Sequence, residues 1–532
     1  MKATYIDYSE TASFSATLLS YLAKDVNLEP YLSYWPTLQN FNKSISERKQ
    51  NVNRLTLVEV LRKQYSDSGY HNEKSGLVLK NIETLIQPDT FTITTGHQLN
   101  IFTGPLYFIY KIVTAINLAS ELKAAHPDKN FVPVYWMATE DHDFEEINHA
   151  KLHGKKYTWN ENAKGATGRI DPISIRETLK AYENALGFSH NSKILSDILE
   201  EAYLNHTNLS DATRYLVHNL FSQYGLVILD ADDIDLKKEF AAIIKEDLLQ
   251  QKSFAAISST SKSLKEAGFE TQVHAREINF FYLTENLRER IVFENGCWRV
   301  LNGSITFSKE ELIREIDQHP DRFSPNVVMR PLYQECILPN LAYIGGGAEI
   351  VYWLQLKSTF EQYGIDFPLL ILRNSAMITS ESFGSKLARL NFSVKDIFQN
   401  ADALKKQWVL ANSDHRLNIT DELEEFDSVF EKLKLRAQKI DPTLAPSTDA
   451  VNARLNKALS NLEQKLIKAE KRNNQGTLSQ IDTLRTKYFP GNSLQERTEN
   501  FGLLYTQHGD NFISELVRHF KPLDFKFTIL ES

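Results

Sequence analysis

Between residues 91 and 372 short apolar or β-branched runs alternate with longer stretches in which apolar residues return every three or four positions. The runs are Phe91–Thr95, Val132–Met137, Leu226–Leu229, Leu341–Ile344 and Leu369–Leu372. A strand covered on both faces carries apolar side chains nearly throughout, so these five predict buried parallel strands. Leu106, Ile109, Val113, Ile116 and Ala119 share one helical face. Pro105 just before them suits a first helical turn, where its missing N–H costs nothing. A second helix is predicted from about Ala348 to Tyr363. Strand, helix and strand joined by right-handed crossovers make a doubly wound sheet.

The pattern changes on either side. Residues 1–90 read as mostly helical, through Thr11–Leu22 and Val52–Leu61. The second, third and fourth strands lie too far apart for simple crossovers, so insertions must separate them. Residues 151–220 are polar, then helical. Residues 270–310 predict a small β-meander, Asn279–Thr284, Arg290–Glu294 and Cys297–Leu301, with Glu294-Asn295-Gly296 as a hairpin turn. Beyond about residue 385, Leu423, Phe426, Phe430, Leu433, Ala437 and Ile440 step by three and four. So do Val451, Leu455, Ala458, Leu462, Leu466 and Ala469, with Pro442 and Pro446 between the two series. Two long antiparallel helices with a proline-containing link fit this pattern. Their stripes exceed what a bare hairpin buries, which predicts a homodimer through residues 385–490.

The expected fold class is therefore α/β: a Rossmann-like doubly wound parallel sheet with connecting insertions and a C-terminal α-helical coiled-coil domain. The expected division is a helical lead and first core part at 1–150, insertions at 151–330 interrupted by a core strand near 226–230, a second core part at 331–384, the coiled coil at 385–490, and a segment at 491–532 that returns to the body.

A chain of 532 residues exceeds the roughly 250–300 that one core supports, in keeping with several domains. A net charge of −8 argues against a general nucleic-acid binder. Two cysteines, Cys297 and Cys336, make neither a disulfide framework nor a four-thiolate zinc site. The opening MKATYIDYSE has no basic and apolar leader pattern, and the uncharged stretch Thr90–Tyr110 is broken by Gly and Pro. The expectation is a cytoplasmic protein with neither membrane nor nucleic acid as partner.

Candidate chemistry gathers at the carboxyl ends of the predicted strands, where open α/β sheets bind ligands. Gly96, His97, Gln98, Asn100, Thr103 and Gly104 follow the first strand. The glycines permit close backbone approach, His97 can donate to a phosphate or move a proton, and the amides supply donors. Glu140-Asp141-His142-Asp143 follows the second strand. Carboxylates so close together need a cation, an amine or a proton to offset them, which points to a substrate amine. A metal site through His142, Glu146 and His149 is a rival, since i, i+4 and i+7 share a helical face. An acidic first turn that serves only the helix dipole is the bland alternative. Tyr343 lies in the fourth strand, ahead of Gly345-Gly346-Gly347 and Glu349, which form an anion cradle or merely a tight turn. Arg373-Asn374 ends the fifth strand, as a carboxylate or phosphate clamp or an ordinary ion pair. No metal is firmly implied.

Several stretches carry a resemblance. They are Thr95-Gly96-His97-Gln98 with Phe102-Thr103-Gly104-Pro105-Leu106-Tyr107, and Val132-Pro133-Val134-Tyr135-Trp136 leading into Glu140-Asp141-His142-Asp143. Arg330-Pro331-Leu332-Tyr333-Gln334, Leu341 through Glu349, and Gln495-Glu496-Arg497 follow. In this order they resemble the cysteine ligase family of bacillithiol biosynthesis. The resemblance implies a core like that of class I aminoacyl-tRNA synthetases and a coiled coil that pairs two subunits. It implies joining L-cysteine to the amine of glucosaminyl-malate, with ATP or ADP as the nucleotide. Thr94-Thr95-Gly96-His97 looks like the Thr/His-x-Gly-His motif that handles ATP phosphates in those synthetases; a Lys-Met-Ser-Lys-type loop is missing. On this reading His97, Asp141 and Asp143 are catalytic. Gln98, Asn100, Thr103, Glu140, His142, Tyr343, Arg373 and Asn374 hold substrate, and Gly96, Gly104, Gly345, Gly346, Gly347 and Glu349 hold nucleotide. Two other readings stand beside it: a metal-dependent hydrolase built on His142, Glu146 and His149, and a non-catalytic, nucleotide-sensing dimeric scaffold.

Overall fold

A computed structural model describes residues 1–49, 52–67 and 75–532 of the chain. All five predicted core strands form, as Thr90–His97, Asn130–Met137, Val227–Asp230, Asn340–Gly345 and Leu369–Leu372. They make one parallel sheet. Its spatial order is Leu369–Leu372, Asn340–Gly345, Thr90–His97, Asn130–Met137, Val227–Asp230. Numbered along the chain this is 5-4-1-2-3, so the strand order reverses between the first and fourth strands. The register sets Thr95 beside both Ile344 and Tyr135, and His97 beside Met137. The carboxyl ends therefore line up along one edge.

Alternation within the strands explains the layers. Phe91 and Ile93 point to the face where Ala115, Leu118, Ala119 and Leu122 of the helix Tyr107–Ala125 complete a core with Leu341 and Ile371. Thr92 and Thr94 point the other way and donate to Asn340 Oδ1, at 3.1 and 2.7 Å. The helix begins two residues after Pro105, a correction to its expected start. Pro105 instead bridges to Asn500, and Leu106 N–H donates to Glu499 O.

The helix expected from Ala348 to Tyr363 is two short ones, Gly347–Trp353 and Lys357–Tyr363. The buried Gln355 in the break accepts from the N–H groups of Gln272 and Val273 and donates to Val273 O. The meander forms as Phe280–Thr284, Leu287–Glu294 and Cys297–Val300, extended by Thr306–Phe307 and Phe323–Pro325. Its Asn295-Gly296 turn has both residues at positive φ, 53° and 79°, as a two-residue hairpin of primed type requires. Residues 1–90 also contain a strand, Lys2–Asp7.

The chain divides into two compact units. One holds Met1–Ser9, Ser13–Met377 and Gln495–Leu530; the other holds Glu10–Ala12, Ile378–Leu494 and Glu531–Ser532. The second is built on the antiparallel helices Thr420–Ile440 and Leu444–Asn473, flanked by Ala401–Asn412 and Gln475–Tyr488. Of the two prolines only Pro442 lies in the link. Pro446 sits in the first turn of the second long helix, where no intrahelical N–H bond is lost. Among the described residues no helix is long and apolar enough to cross a membrane.

Candidate active site

Two cavities open along the aligned strand ends. The larger, about 620 Å³, is lined by Gly96, His97, Gln98, Glu140, Asp141 and His142, and also by Trp136, Arg288 and Arg330. The smaller, about 470 Å³, is lined by Gly346, Gly347, Lys111, Arg373 and Arg497. His97 and Glu349 line both. This is the topological switch point of the sheet, where the helices that follow the first and fourth strands diverge and leave a crevice.

The wall between the cavities rests on a buried ion pair. Lys111 Nζ lies 2.5 Å from Glu349 Oε2 and donates to Gly96 O at 2.8 Å. Glu349 also receives Gly346 N–H at 2.7 Å and the Tyr343 hydroxyl at 2.9 Å. Burial alone would raise the Glu349 carboxyl, but the Lys111 charge and the bonds from Lys111, Gly346 and Tyr343 together hold the group below its ordinary range. Tyr343 itself is buried and stacks on Trp353. The His97 ring packs on Tyr107 and Phe108, and its Nε2 is sealed from solvent with no hydrogen-bond partner. Burial, then the Lys111 charge, push the imidazole down to about 3. His97 is thus neutral across the physiological range, and its expected role in moving a proton near neutral pH gives way to that of a neutral donor or acceptor.

A pH experiment checks this. The unfolded imidazole protonates near 6.5 and the folded one near 3. Between these values unfolding takes up a proton, so stability falls as pH drops from 6.5 towards 3. The His97 ring resonance should show no titration between pH 5 and 8, and His97→Gln should flatten the acid limb of the stability curve. A ring titrating near 6.5 would refute the assignment.

In the larger cavity Gln98 Nε2 donates to Asp141 Oδ2 at 2.7 Å and to Glu146 Oε2 at 2.8 Å. Asp141 Oδ1 accepts His142 N–H at 2.7 Å, with Arg288 Nη1 3.8 Å away. Burial would raise this carboxyl, but the bonds from His142 and Gln98 and the Arg288 charge hold it well below the ordinary carboxylate range. Arg288 is itself tied down, bonded to His142 Nδ1 at 2.7 Å and donating to Ser324 Oγ at 3.1 Å. Glu140 is neutralised by the fully buried Lys237, which also donates to Phe323 O at 2.9 Å.

Other predicted site residues lie elsewhere. Asp143 is exposed and lines neither cavity. Asn100, Thr103 and Gly104 make a tight turn: Phe102, Thr103 and Gly104 all have positive φ, and a Cβ on Gly104 would fall 2.7 Å from Asn100 Cβ. Asn500 Nδ2 pins this turn through the carbonyls of Phe102 and Gly104, each at 2.6 Å. Asn374 is absorbed by Thr114 and by Lys521 O. Arg373 lines the smaller cavity, yet its Nη2 is paired with the buried Glu496 at 2.8 Å. Gly345 is packed beneath Glu349 and Ile350, whereas Gly347 lets Leu18 approach to 2.7 Å of where a Cβ would stand.

The proposed metal trio fails on geometry. His142 precedes a single helical turn, Phe144–Ile147, and His149 opens a strand, so the three never share a helical face. Among the described residues no three His, Cys, Asp or Glu side chains converge to hold a metal ion. Sequence reasoning missed Lys111, Lys237, Arg288, Glu496 and Asn500 as parts of this architecture. Lys111 had a legible signal, the one charged residue in the apolar first half of its helix, and Glu496 stood in the Gln495-Glu496-Arg497 stretch; Lys237, Arg288 and Asn500 had none.

Comparison with known families agrees with this architecture. Residues 1–374 match the family model "Bacillithiol biosynthesis BshC, N-terminal Rossmann-like domain", and residues 376–532 match "Bacillithiol biosynthesis BshC, C-terminal coiled-coil domain". The chain is 45% identical to "Putative cysteine ligase BshC" of Flavobacterium johnsoniae and 43% identical to that of Flavobacterium psychrophilum, with 100% of both chains covered in each case. It is 40% identical to the protein of the same name from Christiangramia forsetii, covering 100% of this chain and 99% of that one. A solved structure titled as a putative arginyl tRNA synthetase from Campylobacter jejuni covers 84% of this chain at 12% identity, with a TM-score of 0.21. A parallel sheet with its reversal point at the cavities, a separate helical-hairpin unit and full-length identity of this order leave one assignment: the chain belongs to the BshC family of bacillithiol biosynthesis, a family of ligases.

Proposed function

We propose that the protein joins the carboxyl group of L-cysteine to the amine of glucosaminyl-malate, in the cytoplasm, after ATP-type activation of the carboxylate. The observation that carries this reading is Asp141, a carboxylate kept ionised at the mouth of the larger cavity, with the neutral His97 shared by both cavities. An anion of such low basicity is a poor proton acceptor and a good partner for a sugar ammonium. Asp141 orients the amine, Gln98 holds Asp141 in place, and His97 donates to the activated carboxyl. The ammonium held at Asp141 first releases a proton to solvent; the freed amine nitrogen attacks the activated carboxyl carbon, a C–N bond forms, the C–O bond to the activating group breaks, the oxygen departs with that group, and the second N–H proton leaves to solvent. ATP supplies that leaving group when bound. The residues that would hold a polyphosphate line the smaller cavity: Arg497, which has no ion-pair partner among the described residues, His97, whose Nε2 lacks a partner, and Gly347, with the Lys111–Glu349 pair behind them.

The test is direct. Purified protein given L-cysteine, glucosaminyl-malate and ATP should yield a product whose mass is the sum of the two substrates less one water. Nucleotide stabilisation without product under every substrate combination would favour the scaffold reading and defeat this one.

We also infer a homodimer through the helical-hairpin unit. The helix Thr420–Ile440 has no fully buried residue. Phe426, Val429 and Leu433 are 40, 49 and 42% exposed on one face, while Leu423 and Phe430 are half-buried. Burying one such side chain fully is worth about 1.5–3 kcal/mol, so a second copy is a strong partner for this face. Light scattering at micromolar concentration should give about twice 61.1 kDa. Phe426→Glu with Leu433→Glu should halve the mass, and a monomeric unmodified protein would end the idea.

A further inference from the structure

Arg330 opens the helix Arg330–Ile337 and its guanidinium lines the larger cavity. Its neighbours are mostly rings: the guanidinium carbon lies 6.0 Å from the Trp136 ring centre and 5.9 Å from that of Tyr343. It shares a hydrogen bond with Tyr352, and Nη1 reaches Gln334 Oε1 only at 3.4 Å. Among the described residues no carboxylate stands within ion-pair distance of it. Every nearby acid is already engaged: Glu349 by Lys111, Asp141 by Gln98 and His142, Glu140 by Lys237. Arg288 in the same wall has fixed partners, and Arg373 has Glu496. Gly96 leaves Arg330 its place, since a Cβ there would stand 3.3 Å from Nη1. A guanidinium is always charged, and burying one without an anion is costly.

We propose that Arg330 is a specificity-determining residue that receives a carboxylate of the substrate through its planar fork. The proposal rests on the ligase reading above and deepens it. A guanidinium matches a carboxylate bidentately, and rings on either side exclude water from the pair. Two carboxylates could arrive here, that of the amino acid and those of the malyl group, and the experiment separates them.

Arg330→Gln and Arg330→Lys are compared with the unmodified protein, with thermal melts to show that each folds. Loss of charge-assisted bonds should raise one KM by about 10- to 100-fold in Arg330→Gln, and by less in Arg330→Lys. A rise for glucosaminyl-malate towards the value for methyl glucosaminide, with cysteine unaffected, assigns the malyl group; a rise for cysteine alone assigns the amino acid. Either supports the proposal. Unchanged KM values, or a rise for ATP alone, would overturn it. Calorimetric binding of free L-malate and of L-cysteine, without turnover, keeps the two readings apart. An unmodified protein that makes no product, yet binds one of these probes in an Arg330-dependent manner, defeats the ligase reading and leaves the carboxylate site standing. An unmodified protein that binds neither probe and makes no product defeats both.

Discussion

Lys237→Met should lower the stability of the folded protein by about 3–5 kcal/mol, the cost of leaving a buried charge without its partner. Lys237 is fully buried and the Glu140 side chain is 12% exposed. The cation joins the helix Ile234–Gln250, the end of the second core strand and, through Phe323 O, the inserted β-meander. Asp230 and Asp232 stand nearby, and Asp232 is tied to Arg169. Burial first, then the Glu140 charge, hold the Asp232 carboxyl above its ordinary range, while Arg169 and Lys237 pull it down. Without Lys237 the acids face one another with less compensation.

The pH dependence has a definite sign. A carboxyl raised in the folded state keeps its proton where the unfolded chain has lost it, so its contribution to stability falls as pH rises. Removing Lys237 raises Asp232 further, and the deficit of the variant should therefore be larger at pH 8 than at pH 5.5. Urea midpoints at the two values measure it. Adding Glu140→Leu should recover most of the loss, since an apolar pair can replace a buried ion pair at little cost. A single variant within about 1 kcal/mol of the unmodified protein would show that the pair matters little.

Asp141→Asn should reduce kcat/KM for the amine substrate by about 30- to 5,000-fold, equivalent to about 2–5 kcal/mol of a desolvated charge contact. Asparagine has nearly the same shape, so the bond from His142 N–H to the side-chain oxygen survives. What is lost is the negative charge between Arg288 and the cavity, and one acceptor for Gln98. Stability should change far less than turnover. The KM for cysteine should stay near its original value, because Asp141 is assigned to the amine. Turnover within threefold of the unmodified protein would remove Asp141 from the mechanism. Asp143→Asn serves as the comparison: its side chain is exposed outside both cavities, and it should leave turnover nearly unchanged.

The core sheet was legible because each strand is short, apolar and covered on both faces, a pattern that few other structures satisfy. The strand ends were legible too, since glycines, amides and acids cluster where those runs stop. Pro105 misled because a missing N–H suits a first helical turn and equally suits a bridge to a distant segment. The break after Trp353 was invisible because its cause is the Gln355 amide serving the backbone at Gln272 and Val273. Within the site, local sequence marked which strand ends are polar but not which charges cancel. Glu140 and Asp141 both line the larger cavity, yet Glu140 is paired with Lys237 while the nearest permanent cation to Asp141, Arg288, stands 3.8 Å away. Arg373 and Arg330 both sit beside cavities, and only the pairing of Arg373 with Glu496 separates a structural guanidinium from an available one. Such distinctions depend on contacts between residues 97 and 123 positions apart, which periodicity does not encode.

The bond between Arg373 and Glu496 spans 123 positions of the chain. Glu496 also accepts the N–H of Ala376, and Asn500 pins the turn that follows the first core strand. On the ribosome these partners emerge after all five core strands. At about 5–20 residues per second, the interval between Arg373 and Glu496 lasts roughly 6–25 s. Throughout that interval the guanidinium at the sheet edge has no counterion and the glycine turn has no clasp, while the long helical hairpin is itself being made. The nascent enzyme is thus an open sheet waiting for its own end. A message cut short after the hairpin would encode every core strand and still lack the counterion of Arg373 and the clasp of the glycine turn.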